Sequence, residues 1–169
     1  KVAVISFYAT KLLGAGEGGA VLTDDEGVAA QVRQWRDYAN QEPDGTRLND
    51  KMTDLEATLA LGQLERLPEG LAERRRLARR YLAAGLRGVG LPEDVPGHAW
   101  YRFVVEADDA GQLMERLGSR GVQAVRPVAP WGREGMPPVT ARAYDTVVSI
   151  PCYPGLTDAE QEQVIEAFR

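Results

Sequence analysis

The chain opens on a short apolar run, Val2-Ala3-Val4-Ile5-Ser6-Phe7, rich in β-forming residues, which predicts a buried strand. A glycine-rich bend, Gly14 to Gly19, separates it from a second run, Ala20 to Thr23, read as a strand leaving the bend. Asp24-Asp25-Glu26 makes an acidic helix start, and Val28, Val32, Trp35 and Tyr38 recur at helical spacing to about Tyr38. Residues Ala39 to Lys51 are polar, with Pro43, Asp44, Gly45, Asn49 and Asp50, and predict a loop of a length that is often functional. Thr53-Asp54-Leu55-Glu56 has the form of a capping box and opens a helix carrying Leu55, Leu59 and Leu67. Pro68 and Gly70 break that pattern, so a second, longer helix is expected from Leu71 to Leu86.

Gly85, Gly88, Gly90, Pro92, Pro96 and Gly97 mark the plainest boundary, and a domain border is placed near residue 88. Beyond it the pattern predicts a strand at Trp100–Glu106, a helix at Asp109–Leu117 stopped by Gly118 and Gly121, and a second strand at Val122–Arg126. Pro127 to Pro138 reads as irregular, Thr146–Ile150 as a third strand, and Thr157-Asp158-Ala159-Glu160 as a capping box opening the last helix. This order describes a small α+β domain over residues 89–169, with helices on one sheet face.

At 169 residues the chain can bury one core, or one domain and a fragment of another. A strand that starts with the first residue predicts further chain upstream. The net charge of −5 argues against nucleic acid and anionic membrane as partners, and no apolar run reaches the ~20 residues of a membrane span. Arg74-Arg75-Arg76, Arg79 and Arg80 form a basic run interleaved with Leu77, Ala78, Tyr81 and Leu82, read as a solvated helix face. The single cysteine, Cys152, allows no internal disulfide and reads as a small buried hydrophobe. Together with the single histidine, His98, it argues against a metal site, and the expected compartment is the cytoplasm.

The candidate chemistry lies at the first bend. Lys11 follows the first apolar run, Ser6 stands five residues before it, and the glycines follow, so a strand delivers an amine to a tight turn. Partly desolvated, with Ser6 and backbone N–H groups to hold an anion, such an amine suits Schiff-base chemistry with a phosphate-bearing carbonyl compound. A surface lysine at a strand end fits the same spacing. The glycine cluster is not a P-loop, since the lysine precedes it. Asn49-Asp50-Lys51-Met52-Thr53-Asp54, at a loop-to-helix junction, is either a second anion-holding element or an ordinary junction.

Together these segments resemble the DegT/DnrJ/EryC1/StrS family of pyridoxal-phosphate-dependent sugar aminotransferases. The resemblance rests on Ser6-Phe7-Tyr8-Ala9-Thr10-Lys11, Gly16-Glu17-Gly18-Gly19-Ala20, Thr23-Asp24-Asp25, Asn49 to Ala57 and Gly62-Gln63-Leu64. It also takes in Ile150-Pro151-Cys152-Tyr153-Pro154-Gly155-Leu156-Thr157. It covers essentially the whole chain and the later half of a full-length member. The fold it implies is α/β: the C-terminal part of a fold-type-I-like large domain with its connecting helices over 1–88, then the small α+β domain over 89–169.

The resemblance further implies that Lys11 binds pyridoxal phosphate as a Schiff base and then serves as the general acid and base. Ser6 would hydrogen-bond the cofactor phosphate. Asn49 would reach the phosphate in the neighbouring subunit of a homodimer with shared sites, which Gly16 to Gly19 line. The implied reaction moves an amino group, usually from glutamate, to a keto group on a nucleotide-linked sugar, as in cell-surface polysaccharide biosynthesis. Where members carry a His-Tyr-Pro-like element, this chain has Val125-Arg126-Pro127-Val128-Ala129-Pro130-Trp131, which makes Arg126 a candidate substrate residue facing an acidic or phosphorylated group. His98 is a second substrate candidate, with a loop histidine the favoured reading. In the family an upstream aspartate pairs with the pyridine nitrogen, and no residue of 1–169 takes that role. A non-catalytic remnant of the same fold, acting through protein association, is the alternative expectation.

Overall fold

The structure, a computed structural model, describes residues 1–37, 49–127 and 135–169. By its internal contacts the chain divides into two compact units, Lys1–Pro68 and Glu69–Arg169. The glycine- and proline-rich stretch around residue 88 lies inside the second.

In the first unit, β1 (Val2–Ser6) and β2 (Gly19–Thr23) form an antiparallel ribbon with Val4 opposite Val21 and Ser6 opposite Gly19. The expected burial of β1 is not met: Val4 is 78% exposed on one face and Leu22 53% on the other. Among the described residues β1 pairs with β2 alone, so a two-stranded ribbon leaves both its apolar faces largely open. Helix α1 (Glu26–Arg36) packs against β2. Asp25 caps it, one carboxylate oxygen accepting the N–H groups of Gly27 and Val28 at 2.9 and 3.1 Å. Thr23 ties strand to helix, its hydroxyl donating to Lys1 O and accepting from Asp25 N–H. Tyr38 and most of the expected loop lie outside the described residues.

The two helices expected on either side of Pro68 are one: α2 runs from Asp54 to Ala84 with the proline inside it. An interior proline removes one hydrogen bond and crowds the carbonyl four residues back, a penalty of about 3 kcal/mol. Helix-favouring Leu, Ala, Glu and Arg on both sides offset it, as does the burial of Leu77, Ala78 and Tyr81.

The core of the second unit is built on β3 (Phe103–Glu106) and β4 (Val147–Ile150), antiparallel, with Phe103 opposite Ile150 and Val105 opposite Val148. Helices α3 (Ala110–Ser119), α4 (Pro138–Thr146) and α5 (Asp158–Glu166) complete it. Phe103, Val105 and Val148 join Leu77, Tyr81, Trp100, Leu117 and Val164 in one apolar cluster.

The expected strand at Val122–Arg126 reduces to a single bridge, Val125 to Ser149. That register sets Gln123 against Pro151 and Pro127 against Val147, and neither proline has an N–H to give the next rung. Trp100, expected to start a strand, instead has left-handed backbone with φ +49°. Helix α4 was not expected, because no apolar stripe marks it and none of its residues is buried; Pro137 and Pro138 at its start are its one sequence signal.

The arginine run is a solvated face only in part: Arg76 and Arg79 are exposed, while Arg74 and Arg80 are drawn onto other elements. Arg74 donates to the carbonyls of Trp100, Tyr101 and Cys152, the last at 2.6 Å. Arg76 and Arg80 pair with Asp158 and Arg80 also with Glu162, both on α5. Gln161 is fully buried and donates to Leu77 O at 2.8 Å, while Tyr81 donates to Pro151 O at 2.8 Å. Cys152 is buried as expected, and burial pushes its thiol up to about 11, with Arg74 opposing.

The capping box of α5 forms in full: Thr157 Oγ1 accepts from Glu160 N–H, and the Glu160 carboxylate accepts from Thr157 N–H. That backbone N–H, and then the Thr157 hydroxyl, hold the Glu160 carboxyl below its usual range. Its contribution to stability is therefore full above the unfolded-state pKa and is lost as pH falls through the folded one. Thr157→Ala is expected to cost about 1 kcal/mol in urea unfolding at neutral pH, with a smaller difference in acid; an equal difference at both pH values would contradict the carboxylate's part.

Candidate active site

The ribbon does not end where its strands do. Phe7 N–H donates to Gly18 O and Ala9 N–H to Gly16 O, both at 2.9 Å, and Ala15 N–H returns to Phe7 O at 2.8 Å. At the tip, Lys11 N–H donates to Tyr8 O at 2.8 Å, closing a tight turn from Tyr8 to Lys11. Lys11 thus stands on a short bend braced across its base, with its backbone N–H committed and its side chain exposed. Its chain neighbours Ala9 and Thr10 are exposed as well, and Leu12 is partly buried.

Two glycines make the bend possible. A Cβ at Gly14 would lie 2.5 Å from Ala9 O, so only glycine lets the two sides of the bend approach this closely. Gly18 has φ +116°, and a Cβ there would sit 2.8 Å from the sulfur of Met52. That second contact is informative, since it seats the segment beginning at Asn49 against the glycine bend, within the same unit as Lys11. Nothing in the spacing of the chain revealed it.

Ser6 ends β1, and its Oγ accepts the N–H of Tyr8 at 3.3 Å, which leaves the hydroxyl hydrogen to donate. Asn49 is exposed. The residues after it are tethered: Asp50 N–H donates to Arg36 O at 3.1 Å, and Lys51 pairs with Asp37 at 3.5 Å. The start of α2 carries its own anion, because the Glu56 carboxylate accepts from Thr53 N–H and hydroxyl at 3.0 and 2.8 Å. Those bonds, the backbone one foremost, hold Glu56 below the usual carboxylate range.

The Lys11 amine and the Ser6 hydroxyl, with its hydrogen to give, are donors whose chemistry fits a phosphate-bearing aldehyde. A groove of about 720 Å³ beside them, lined by Val4, Val21, Ala29, Val32 and Trp35 among others, does not include Lys11.

The two substrate candidates lie in the second unit. His98 Nδ1 accepts Trp100 N–H at 2.9 Å and its ring lies on the Trp100 ring at 4.1 Å, so the histidine props the left-handed turn. Arg126 Nε donates to Tyr144 O at 3.1 Å, and its guanidinium lies 4.7 Å from the Tyr144 ring. Both have structural partners. Val128 to Trp131, the rest of the segment in which Arg126 was singled out, lie outside the described residues.

The model of the DegT/DnrJ/EryC1/StrS aminotransferase family matches residues 1–169. A dTDP-3-amino-3,4,6-trideoxy-alpha-D-glucose transaminase of Micromonospora megalomicea subsp. nigra is 34% identical over 191 residues, covering 99% of this chain and 51% of its own length. The spore coat polysaccharide biosynthesis protein SpsC of Bacillus subtilis (strain 168) is 30% identical, covering 97% of this chain and 52% of its own length. The crystal structure of a DegT DnrJ EryC1 StrS aminotransferase from Brucella abortus matches with a TM-score of 0.87 at 28% identity, over 99% of this chain and 50% of that one. The chain spans about half the length of the curated relatives it matches. These likenesses support an α/β aminotransferase fold. Among the described residues, no helix is long and apolar enough to cross a membrane.

Proposed function

This chain belongs to the DegT/DnrJ/EryC1/StrS aminotransferase family, and we propose on that premise that it carries the cofactor-linking lysine of a nucleotide-sugar aminotransferase. The observation that carries the reading is Lys11 on its braced bend, with Ser6 at the strand end and the Asn49 segment seated through Met52 on Gly18. Pyridoxal phosphate, when bound, supplies the electron sink for the carbanion formed at the substrate carbon.

The protein's part is holding and proton transfer. The Lys11 amine links the cofactor and, once released, takes and returns a proton at the substrate carbon that bears nitrogen. The Ser6 hydroxyl donates to the cofactor phosphate. The Asn49 amide donates to the phosphate of a partner subunit in a homodimer. The amino group leaves an amino-acid donor, glutamate by family precedent, which becomes a keto acid; it arrives at a keto group of a nucleotide-linked sugar. In this reading residues 1–88 belong to the cofactor-binding domain with its connecting helix and 89–169 to the small domain, Arg126 and His98 being substrate-side candidates. The cytoplasm is the compartment of the same proposal.

Both faces of the ribbon are apolar and exposed, which favours, as a second reading, a fold remnant that acts by association. One experiment separates the two. The protein with its cofactor is reduced with borohydride, digested and mapped. Its lysines within this chain are Lys1, Lys11 and Lys51, and the label is expected on Lys11. A label on Lys51, or a folded protein that takes no label, rejects the aminotransferase assignment of Lys11.

A further inference from the structure

Side chains alternate across a sheet, and β3 and β4 turn Phe103, Val105, Val148 and Ile150 into the core of the second unit. Ser149 therefore points to the opposite face, with Val104 across from it on β3 and Val125 bridged to it on its other side. A cleft of about 560 Å³ opens on that side, with Arg102, Gln123, Val125, Ser149, Tyr153 and Leu156 in its lining.

Two groups in this lining lack the partners that their chemistry calls for. Ser149 is 5% exposed, and Val125 takes its backbone N–H and carbonyl at 2.8 and 3.1 Å. Its hydroxyl has no hydrogen-bond partner among the described residues. No side-chain polar atom among them is both sealed off and unpartnered, so this hydroxyl opens into the cleft. Arg102 is half-buried and pairs with no carboxylate among the described residues; its guanidinium lies 5.4 Å from the ring of Tyr101. The one carboxylate in the lining, Glu160, is already held by Thr157 N–H and hydroxyl, each at 2.8 Å. A half-buried cation without a counter-charge and a buried hydroxyl without a partner both favour a ligand that brings negatively charged oxygens. Val125 and the Tyr153 ring add exposed apolar surface beside them. We propose that this cleft binds a small organic anion, a carboxylate or phosphate carried on a ring-sized apolar body. Arg102 pairs with its charge and the Ser149 hydroxyl donates to one of its oxygens. The site is built wholly from residues of the second unit and does not depend on the chemistry assigned to Lys11.

Calorimetric titration of the purified protein with phenyl phosphate and with benzoate tests it. Inorganic phosphate, which lacks the body, and benzyl alcohol, which lacks the charge, are the comparators. One equivalent of phenyl phosphate or benzoate should bind at least about tenfold more tightly than either comparator. The tighter of the two identifies the acid group. Arg102→Gln should weaken that binding by about tenfold or more, and Ser149→Ala by about threefold or more. Lys11→Ala should leave it within about twofold, because the anion does not sit at the Lys11 bend. Backbone amide shifts of the parent protein need no variant, should Ser149→Ala misfold. Adding the tighter probe should move the amides of Arg102, Gln123 to Val125 and Ser149. No binding of either probe at about 10 mM overturns the site. So does an affinity that Arg102→Gln leaves unchanged, or a set of shifts gathered at Ser6 to Gly19.

Discussion

Replacing Lys11 by alanine is expected to lower kcat for amino transfer by about a thousandfold or more, and to abolish the visible absorbance of the protein-bound cofactor. The size follows from two functions lost together: the covalent link, and a tethered amine whose effective concentration no solvent base can match. Lys11→Arg should be equally inactive although it keeps the charge, because a guanidinium neither forms an exchangeable imine nor gives up its proton near neutral pH. Lys1→Ala, which leaves the Lys1 carbonyl to accept from Thr23, should retain activity. Ser6→Ala and Asn49→Ala should behave differently from the lysine variants. In the proposed site each would remove one donor to a charged phosphate, a loss of about 1.5–3 kcal/mol. Cofactor affinity should then fall by about ten- to a hundredfold, while kcat at saturating cofactor changes little. A Lys11→Ala protein that turned over at near-parental rate would remove the functional reading, whatever the family relationship.

The Lys11 bend was legible in the sequence because everything that shapes it is close in the chain: the strand, the turn from Tyr8, and the glycines that let backbone approach backbone. The capping boxes at Thr53 and Thr157 were legible for the same reason, their partners lying three residues on. What failed was set by partners far away. Pro68 looked like a helix end because a local penalty was weighed without the burial of Tyr81 and Leu77 further along. The arginines looked wholly solvated because Asp158 and Glu162, which they hold, stand some eighty residues later. Trp100 looked like strand because its left-handed turn depends on His98 and on Arg74 reaching its carbonyl. The strand at Val122–Arg126 was lost to Pro127 and Pro151, both plain to see, but only the register with Ser149 makes them matter. Met52 on Gly18, the contact that seats the Asn49 segment on the glycine bend, carries no sequence signal at all.

Phe103→Ala should destabilise the second unit by about 3–5 kcal/mol, against a total of about 5–15 kcal/mol for a typical domain. The ring is fully buried, lies 5.0 Å from that of Tyr81 and 5.5 Å from that of Trp100, and stands opposite Ile150 across the β3–β4 pair. Truncation leaves a cavity that its neighbours cannot close cheaply. Tyr81 is fixed by its bond to Pro151 O, and Trp100 by His98 at its N–H and Arg74 at its carbonyl. Phe103→Leu keeps an apolar filler of similar reach and should cost about 1.5 kcal/mol or less. Urea unfolding followed by tryptophan fluorescence measures both, with Trp100 as the reporter in contact with the altered site. The midpoint should fall with the slope unchanged. A loss under about 1 kcal/mol for the alanine variant would mean that the aromatic trio is not what holds this unit together. The weight would then pass to the polar ties from Arg74, Arg80 and Gln161, whose removal should in that case outdo the loss of the ring.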